Sequence, residues 1–197
     1  EPDFPTPSHV IEEVKIASEN PAYHKYTAVG GLPILRDEIS RTTKKYSNFE
    51  IDPDNVVVTN GGKQAILTTF MSLLDPGDEV LIPSPYWTTY PEAVKISGGE
   101  PVIVNTDFEN DFKVTVEQLE EKFTEKTKVL VWVSPSNPTG VVYSKEEAEE
   151  IYNWAFDKNI WILSDELYEH LVYEGVTSPS PATIDKNLEK TIVVNGV

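Results

Sequence analysis

Apolar residues recur along the chain in two rhythms. Between residues 8 and 19 (SHVIEEVKIASE), Val10, Val14 and Ala17 stand at helical spacing behind Ser8, a residue able to cap a helix start, and predict a first helix. The stretch Pro33–Tyr46 repeats the pattern, with proline at an early helical position and Leu35 and Ile39 on one face, and predicts a second. Strands and helices then take turns. The expected order is strand Val56–Val58, helix Gly62–Leu74, strand Val80–Ile82, a helix near Tyr90–Ile96, strand Val102–Val104 and helix Val116–Phe123. It continues through strand Val129–Val133, helix Lys145–Asp157, strand Ile160–Leu163 and strand Ile192–Val194. Several of these strands are short unbroken apolar runs, the mark of burial on both faces of a parallel sheet. The pattern predicts an α/β fold, a mostly parallel sheet with helices on both faces. The Ser-Pro-Ser-Pro run at 178–181 is expected to be a surface turn.

Composition narrows the function. A chain of 197 residues with 39% hydrophobic content suits one large domain, or a domain and a half, with a real core. Its formal net charge of -17 opposes association with nucleic acid or an anionic membrane, since both would repel it. No apolar run approaches the roughly 20 residues of a membrane span, so a soluble protein is expected, with the cytoplasm as the default compartment. Cysteine is absent, and His9, His24 and His170 have no metal-ligand spacing, so no metal is expected. The chain begins at Glu1-Pro2 and stops inside the run Thr191–Val197, and is expected to be a segment of a longer protein.

In open parallel sheets ligands bind beyond the carboxyl ends of the strands, and there the sequence carries candidate chemistry. Gly61-Gly62-Lys63 opens a helix after VVVTN; the free N–H groups of a first helical turn suit an anion such as phosphate. It matches neither the P-loop nor the GxGxxG pattern. Ser84-Pro85-Tyr86-Trp87 follows the next strand, and Trp87 could lie flat against a planar heterocycle. After VLVWVS comes Pro135-Ser136-Asn137-Pro138-Thr139-Gly140, a tight turn able to hold Asn137 over the sheet edge as a donor to a phenolate oxygen. The strand WILS ends in Asp165, whose carboxylate could pair with a ring nitrogen, and Tyr168 follows with a hydroxyl for a ring oxygen. Each motif taken alone has a plainer alternative: a strand-to-helix turn, a packed core tryptophan, an ordinary turn, a helix-capping Asp165 with a core Tyr168.

Taken together and in this order, the four stations resemble the fold-type I, class I aminotransferases, notably the bacterial-type aspartate aminotransferase branch. The resemblance extends over the whole chain, through Glu1-Pro2-Asp3-Phe4, Lys25-Tyr26, Gly30-Gly31-Leu32-Pro33 and the runs DPGDEVLIPSPYW, SPSNPTG, SDELYEHLVYEG and VVNG. It implies that residues 1–197 form most of the large domain that binds pyridoxal 5'-phosphate (PLP), truncated, without the small C-terminal domain. Gly62 and Lys63 would lend backbone amides to the phosphate, Trp87 would stack on the ring, and Asn137 and Tyr168 would bond its phenolic oxygen. Asp165 would pair with the protonated ring nitrogen, the main catalytic contribution alongside Tyr168.

The resemblance also implies that Tyr26 reaches the phosphate of a partner subunit's cofactor, hence a homodimer with shared active sites, and that Asn137–Pro138 is cis. Lys63, Trp87 and Asn137 would face the substrate, Lys63 toward a distal carboxylate, favouring aspartate or glutamate with prephenate as a further option; an exposed helix-start lysine is the alternative. A 2-oxo acid would accept the amino group. In the family the run matching VVNGV leads to the lysine that binds the cofactor covalently, so this segment by itself is expected to be inactive and its parent active. Two rival readings remain: another fold-type I PLP enzyme such as a β-lyase or synthase, and the aminotransferase-like effector domain of a transcriptional regulator.

Overall fold

The computed structural model describes residues 3–173, 175–185 and 189–196. Five strands form one sheet: β1 (Glu79–Pro83), β2 (Glu100–Val104), β3 (Thr127–Val133), β4 (Trp161–Asp165) and β5 (Thr191–Val194). Their order is β2-β1-β3-β4-β5 and every pairing is parallel. All carboxyl ends therefore open onto one edge.

The unbroken apolar runs are explained by burial in two layers, because successive strand side chains point to opposite faces. Val80, Ile82, Val129, Val131 and Leu163 pack on one side with Ile66 and Phe70 of α3 (Gly61–Leu73) and Tyr90 and Val94 of α4 (Thr89–Ile96). Leu81, Leu130, Trp132 and Ile162 pack on the other with Leu119 of α5 (Val116–Lys122) and Ile151 and Ala155 of α6 (Lys145–Asp157). Both α5 and α6 begin in capping boxes, Thr115 with Gln118 and Ser144 with Glu147, which satisfy N–H groups that a first helical turn leaves open.

The first 50 residues depart from their pattern. Helix α1 (Ser8–Ser18) forms, but Pro7 stands at its N-cap, Ser8 is its first helical residue, and Val10 and Val14 are exposed. Helix α2 (Pro33–Tyr46) likewise forms, with Pro33 in its first turn and Ile39 half-buried while Leu35 is exposed. Val56–Val58 is not a strand. It is extended, yet among the described residues its one backbone bond beyond its own turn runs from Val58 N–H to the Gly30 carbonyl at 3.0 Å, and a lone extended segment has no ladder to join. The Ser178–Pro181 run is also not a surface turn, since Ser180 and Pro181 are buried.

Gly31 fixes how this first segment meets Val58. Its φ is +106°, and a Cβ there would lie 2.6 Å from Val58 Cγ2. Gly31→Ala is expected to destabilise the full-length protein by about 1–3 kcal/mol, combining an unfavourable backbone region with the clash. Urea denaturation would show this as a lower midpoint at unchanged slope; an unchanged midpoint would mean that the contact is dispensable.

Candidate active site

The carboxyl edge of the sheet gathers most of the expected side chains. Asp165 is the last residue of β4, buried, and held at both oxygens: Oδ2 accepts the Tyr90 hydroxyl at 2.6 Å, and Oδ1 accepts the Leu167 N–H at 3.2 Å. Burial raises its pKa above the usual carboxylate range, and these two hydrogen bonds offset part of that rise. Tyr90 is itself pushed well above the ordinary phenol range, first by burial and then by the neighbouring Asp165 charge. The pair is therefore a neutral phenol donating to a carboxylate, in surroundings that penalise an uncompensated negative charge. No cation among the described residues pairs with Asp165.

Tyr90 also braces Trp87. Its ring meets the Trp87 ring edge-on, with centroids 5.8 Å apart and an interplanar angle of 90°. One buried side chain thus touches two of the expected cofactor residues, which are brought in from different strands. Sequence reasoning placed Tyr90 only as the start of a helix; its spacing, three residues after Trp87 at the opening of α4, is the signal that would have drawn attention to it. Trp87 remains half-buried, and Lys63 Nζ lies 5.4 Å from its ring centroid.

Helix α3 starts beside β5. A Cβ on Gly62 would lie 3.8 Å from Val194 Cγ1, and Val194 is the residue paired with Asp165 across β4 and β5. Gly61 takes a φ of +76°, which turns the chain into the helix. Asn60 makes no side-chain cap; its own N–H donates to Gln64 Oε1 at 2.6 Å. Among the described residues no acceptor from outside the helix meets the N–H groups of Gly62, Lys63 or Gln64, so the first turn is open to an anion.

Asn137 sits in the turn after β3, half-buried, facing a recess it lines with Ser84, Tyr86, Tyr90 and Trp132. The turn is closed by Gly140 N–H to the Ser136 carbonyl at 2.8 Å and Ser136 N–H to the Val141 carbonyl at 2.9 Å. The Asn137–Pro138 bond is cis, as are Ser84–Pro85 and Ser134–Pro135. Tyr168 is half-buried in the turn after Asp165. Tyr26 is fully exposed. A second residue that sequence reasoning missed is Glu166, buried directly beside Asp165; two consecutive acids at the end of an apolar strand were its signal.

The geometry and the comparisons with known proteins agree. The family model described as "Aminotransferase class I and II" matches residues 1–197, and the chain belongs to that family. Proteins of this family depend on PLP. The chain is 53% identical to an aspartate aminotransferase of Streptomyces avermitilis over 100% of its own length and 48% of the relative's, and 46% identical to an aspartate aminotransferase of Bacillus subtilis, covering 50% of it. Among solved structures it matches an aromatic aminotransferase of Pyrococcus horikoshii with a TM-score of 0.95 at 40% identity, over 100% of this chain and 52% of that one. It also matches an aspartate aminotransferase of Thermus thermophilus with maleate, with a TM-score of 0.92 at 42% identity, over 100% of this chain and 50% of that one. The chain thus spans about half the length of the relatives it matches. No helix among the described residues is long and apolar enough to cross a membrane.

Proposed function

We propose that the full-length protein transfers the amino group of aspartate or glutamate to a 2-oxo acid, and that residues 1–197 are the greater part of its cofactor-binding domain. The observation that carries this reading is the buried Asp165 carboxylate, backed by a phenol and without a cationic partner among the described residues, at the end of an interior strand of the sheet. A cationic heterocycle is the partner such a group lacks. The other residues fit PLP as well: an open helix start for phosphate, an aromatic plate at Trp87, and an amide and a phenol at Asn137 and Tyr168 for the ring oxygen.

When bound, PLP supplies an electron sink for the charge left when the substrate's α-proton departs. The chain's own residues do the rest. Asp165 would hold the positive charge at the ring nitrogen, and the Tyr90 hydroxyl, by donating to Asp165, favours its ionised form. The N–H groups of Gly62 and Lys63 would hold the phosphate, and Trp87 would pack against the ring. Lys63, exposed at the helix start, offers a cation to a distal carboxylate, and the Thermus relative's dicarboxylate ligand supports that assignment. Tyr26, fully exposed in this chain, suits a role in the site of a second subunit, and so a homodimer.

The test is the visible absorbance of the full-length protein mixed with PLP, before and after adding aspartate. A band of bound cofactor that falls on adding aspartate is the expected result. A band that answers only to an aromatic amino acid, as the name of the Pyrococcus relative invites, would keep the enzyme class and discard the role of Lys63. Absence of any band would overturn the PLP assignment.

A further inference from the structure

The residues assigned above act from the α3–α4 face of the sheet or from its edge. Asp165 points with Leu163 toward that face, while Ser164 and Glu166 alternate to the other, where α5 and α6 pack. On this rear face lies a polar network that the proposed chemistry does not use. Glu166 Oε1 accepts the Ser164 hydroxyl at 2.7 Å and the Ser180 hydroxyl at 2.6 Å. The Ser178 hydroxyl donates to the Ser134 carbonyl at 3.0 Å and lies 3.0 Å from Ser134 Oγ. Ser178 has one proton to give, so Ser134 Oγ–H supplies the second bond while Ser134 Oγ accepts the Tyr143 N–H at 3.3 Å.

The placement is specific. Ser134 directly follows β3 and leads into the Asn137 turn; Glu166 directly follows Asp165 and leads into Tyr168. One short segment, Ser178 to Pro181, therefore holds the ends of both site-bearing strands, and its two prolines limit the paths the backbone can take. A glutamate only 2% exposed is costly to keep, more so with Asp165 and Glu169 as like-charged neighbours, and burial pushes its pKa up to about 7. Packing alone would be served more cheaply by an apolar residue. A buried hydrogen-bonded network instead favours one geometry.

We propose that Glu166 is a positioning residue and that the Ser178–Pro181 segment is a clamp, which sets from behind the sheet the spacing between the Asn137 turn and the Asp165–Tyr168 turn. The proposal rests on the reading of that edge as a PLP site. Its test is the dissociation constant for PLP itself, measured by equilibrium dialysis on full-length protein together with the melting temperature.

Glu166→Ala and Ser180→Ala are each expected to weaken PLP binding about tenfold, because both break the Ser180–Glu166 bond that joins the segment to the end of β4, a hydrogen bond to a charged group. Glu166→Gln keeps the acceptor oxygen and is expected to bind within about threefold of the unmutated protein. The control is Asp185→Asn. Asp185 is a buried carboxylate that latches the amino end of β5, away from the site, by accepting the Lys190 N–H and the Thr191 hydroxyl, each at 3.0 Å. It should lower the melting temperature and leave PLP affinity within about twofold. If Glu166→Ala does not fold, Ser180→Ala, which removes one hydroxyl, carries the comparison. The clamp is overturned if Glu166→Ala and Ser180→Ala bind PLP as the control does, or if glutamine rescues no better than alanine. An unmutated protein that binds no PLP fails differently: it overturns the reading of the site and the clamp with it.

Discussion

Asp165→Asn in the full-length protein is expected to lower kcat by ~10²- to 10⁴-fold while leaving the cofactor-free protein as stable as before, or more so. The first effect follows from removing one charge of a buried pair, which costs about 3–5 kcal/mol. The second follows from the state of Asp165 without its partner. Its pKa is raised by burial, so the folded protein holds a proton on it more tightly than the unfolded chain does. Stability from this group is therefore greatest below the unfolded value of about 3.9, and declines as pH rises through that value toward the elevated folded one. At neutral pH Asp165 is a net cost, which asparagine removes while keeping an oxygen for Tyr90 and giving up only the longer acceptance from the Leu167 N–H. Calorimetry on the cofactor-free protein and steady-state rates with aspartate test both halves. Retained activity, or a marked loss of stability, would show that Asp165 is a structural residue.

Tyr90→Phe is the second large effect. It keeps the ring against Trp87 and removes only the hydroxyl that donates to Asp165 Oδ2. A hydrogen bond to a charged group contributes about 1.5–3 kcal/mol, so kcat/KM is expected to fall by ~10- to 10²-fold. The bond also holds the Asp165 pKa down. Without it that pKa rises further, and the acid limb of the pH–rate profile should move to higher pH. A mere packing role for Tyr90 would leave the limb where it is, and that result would reject the assignment.

What the sequence made legible was whatever local pattern determines. The strands of the sheet were readable because each contains a short apolar run, buried on both faces in β1, β3 and β4, and helices α3 to α6 because they carry amphipathic spacing or capping residues. Val56–Val58 misled because three valines have strand propensity whether or not a neighbouring strand exists to pair with them. Val10 and Val14 misled for a related reason: periodicity reveals an apolar face, not the surface that covers it. The candidate site residues drew attention through their place after strand ends, and the structure brings Asp165, Trp87, Lys63 and Asn137 to one edge while Tyr26 is fully exposed. Tyr90 and Glu166 were not legible, since their importance lies in contacts across many residues: Tyr90 with Asp165, and Glu166 with Ser180. The Ser-Pro-Ser-Pro run was misjudged for the same reason, because proline and serine signal a turn but not its burial.

The strand order has a consequence for how the chain reaches its native state. Even the pairing of β1 with its sequence neighbour β2 waits for Glu79 to meet Glu100, and β3 must insert between β1 and β4 although β2 precedes it in the chain. Every rung of the ladder is non-local, so loop closure must precede the reward of each strand pair, and such topologies fold slowly. Asn137 and Asp165 ride on the strands that enter this sheet in its middle. The half-made molecule therefore exposes apolar strands while its cofactor pocket does not yet exist, and growth at lower temperature, which slows aggregation of that intermediate, should favour soluble yield more than added PLP does.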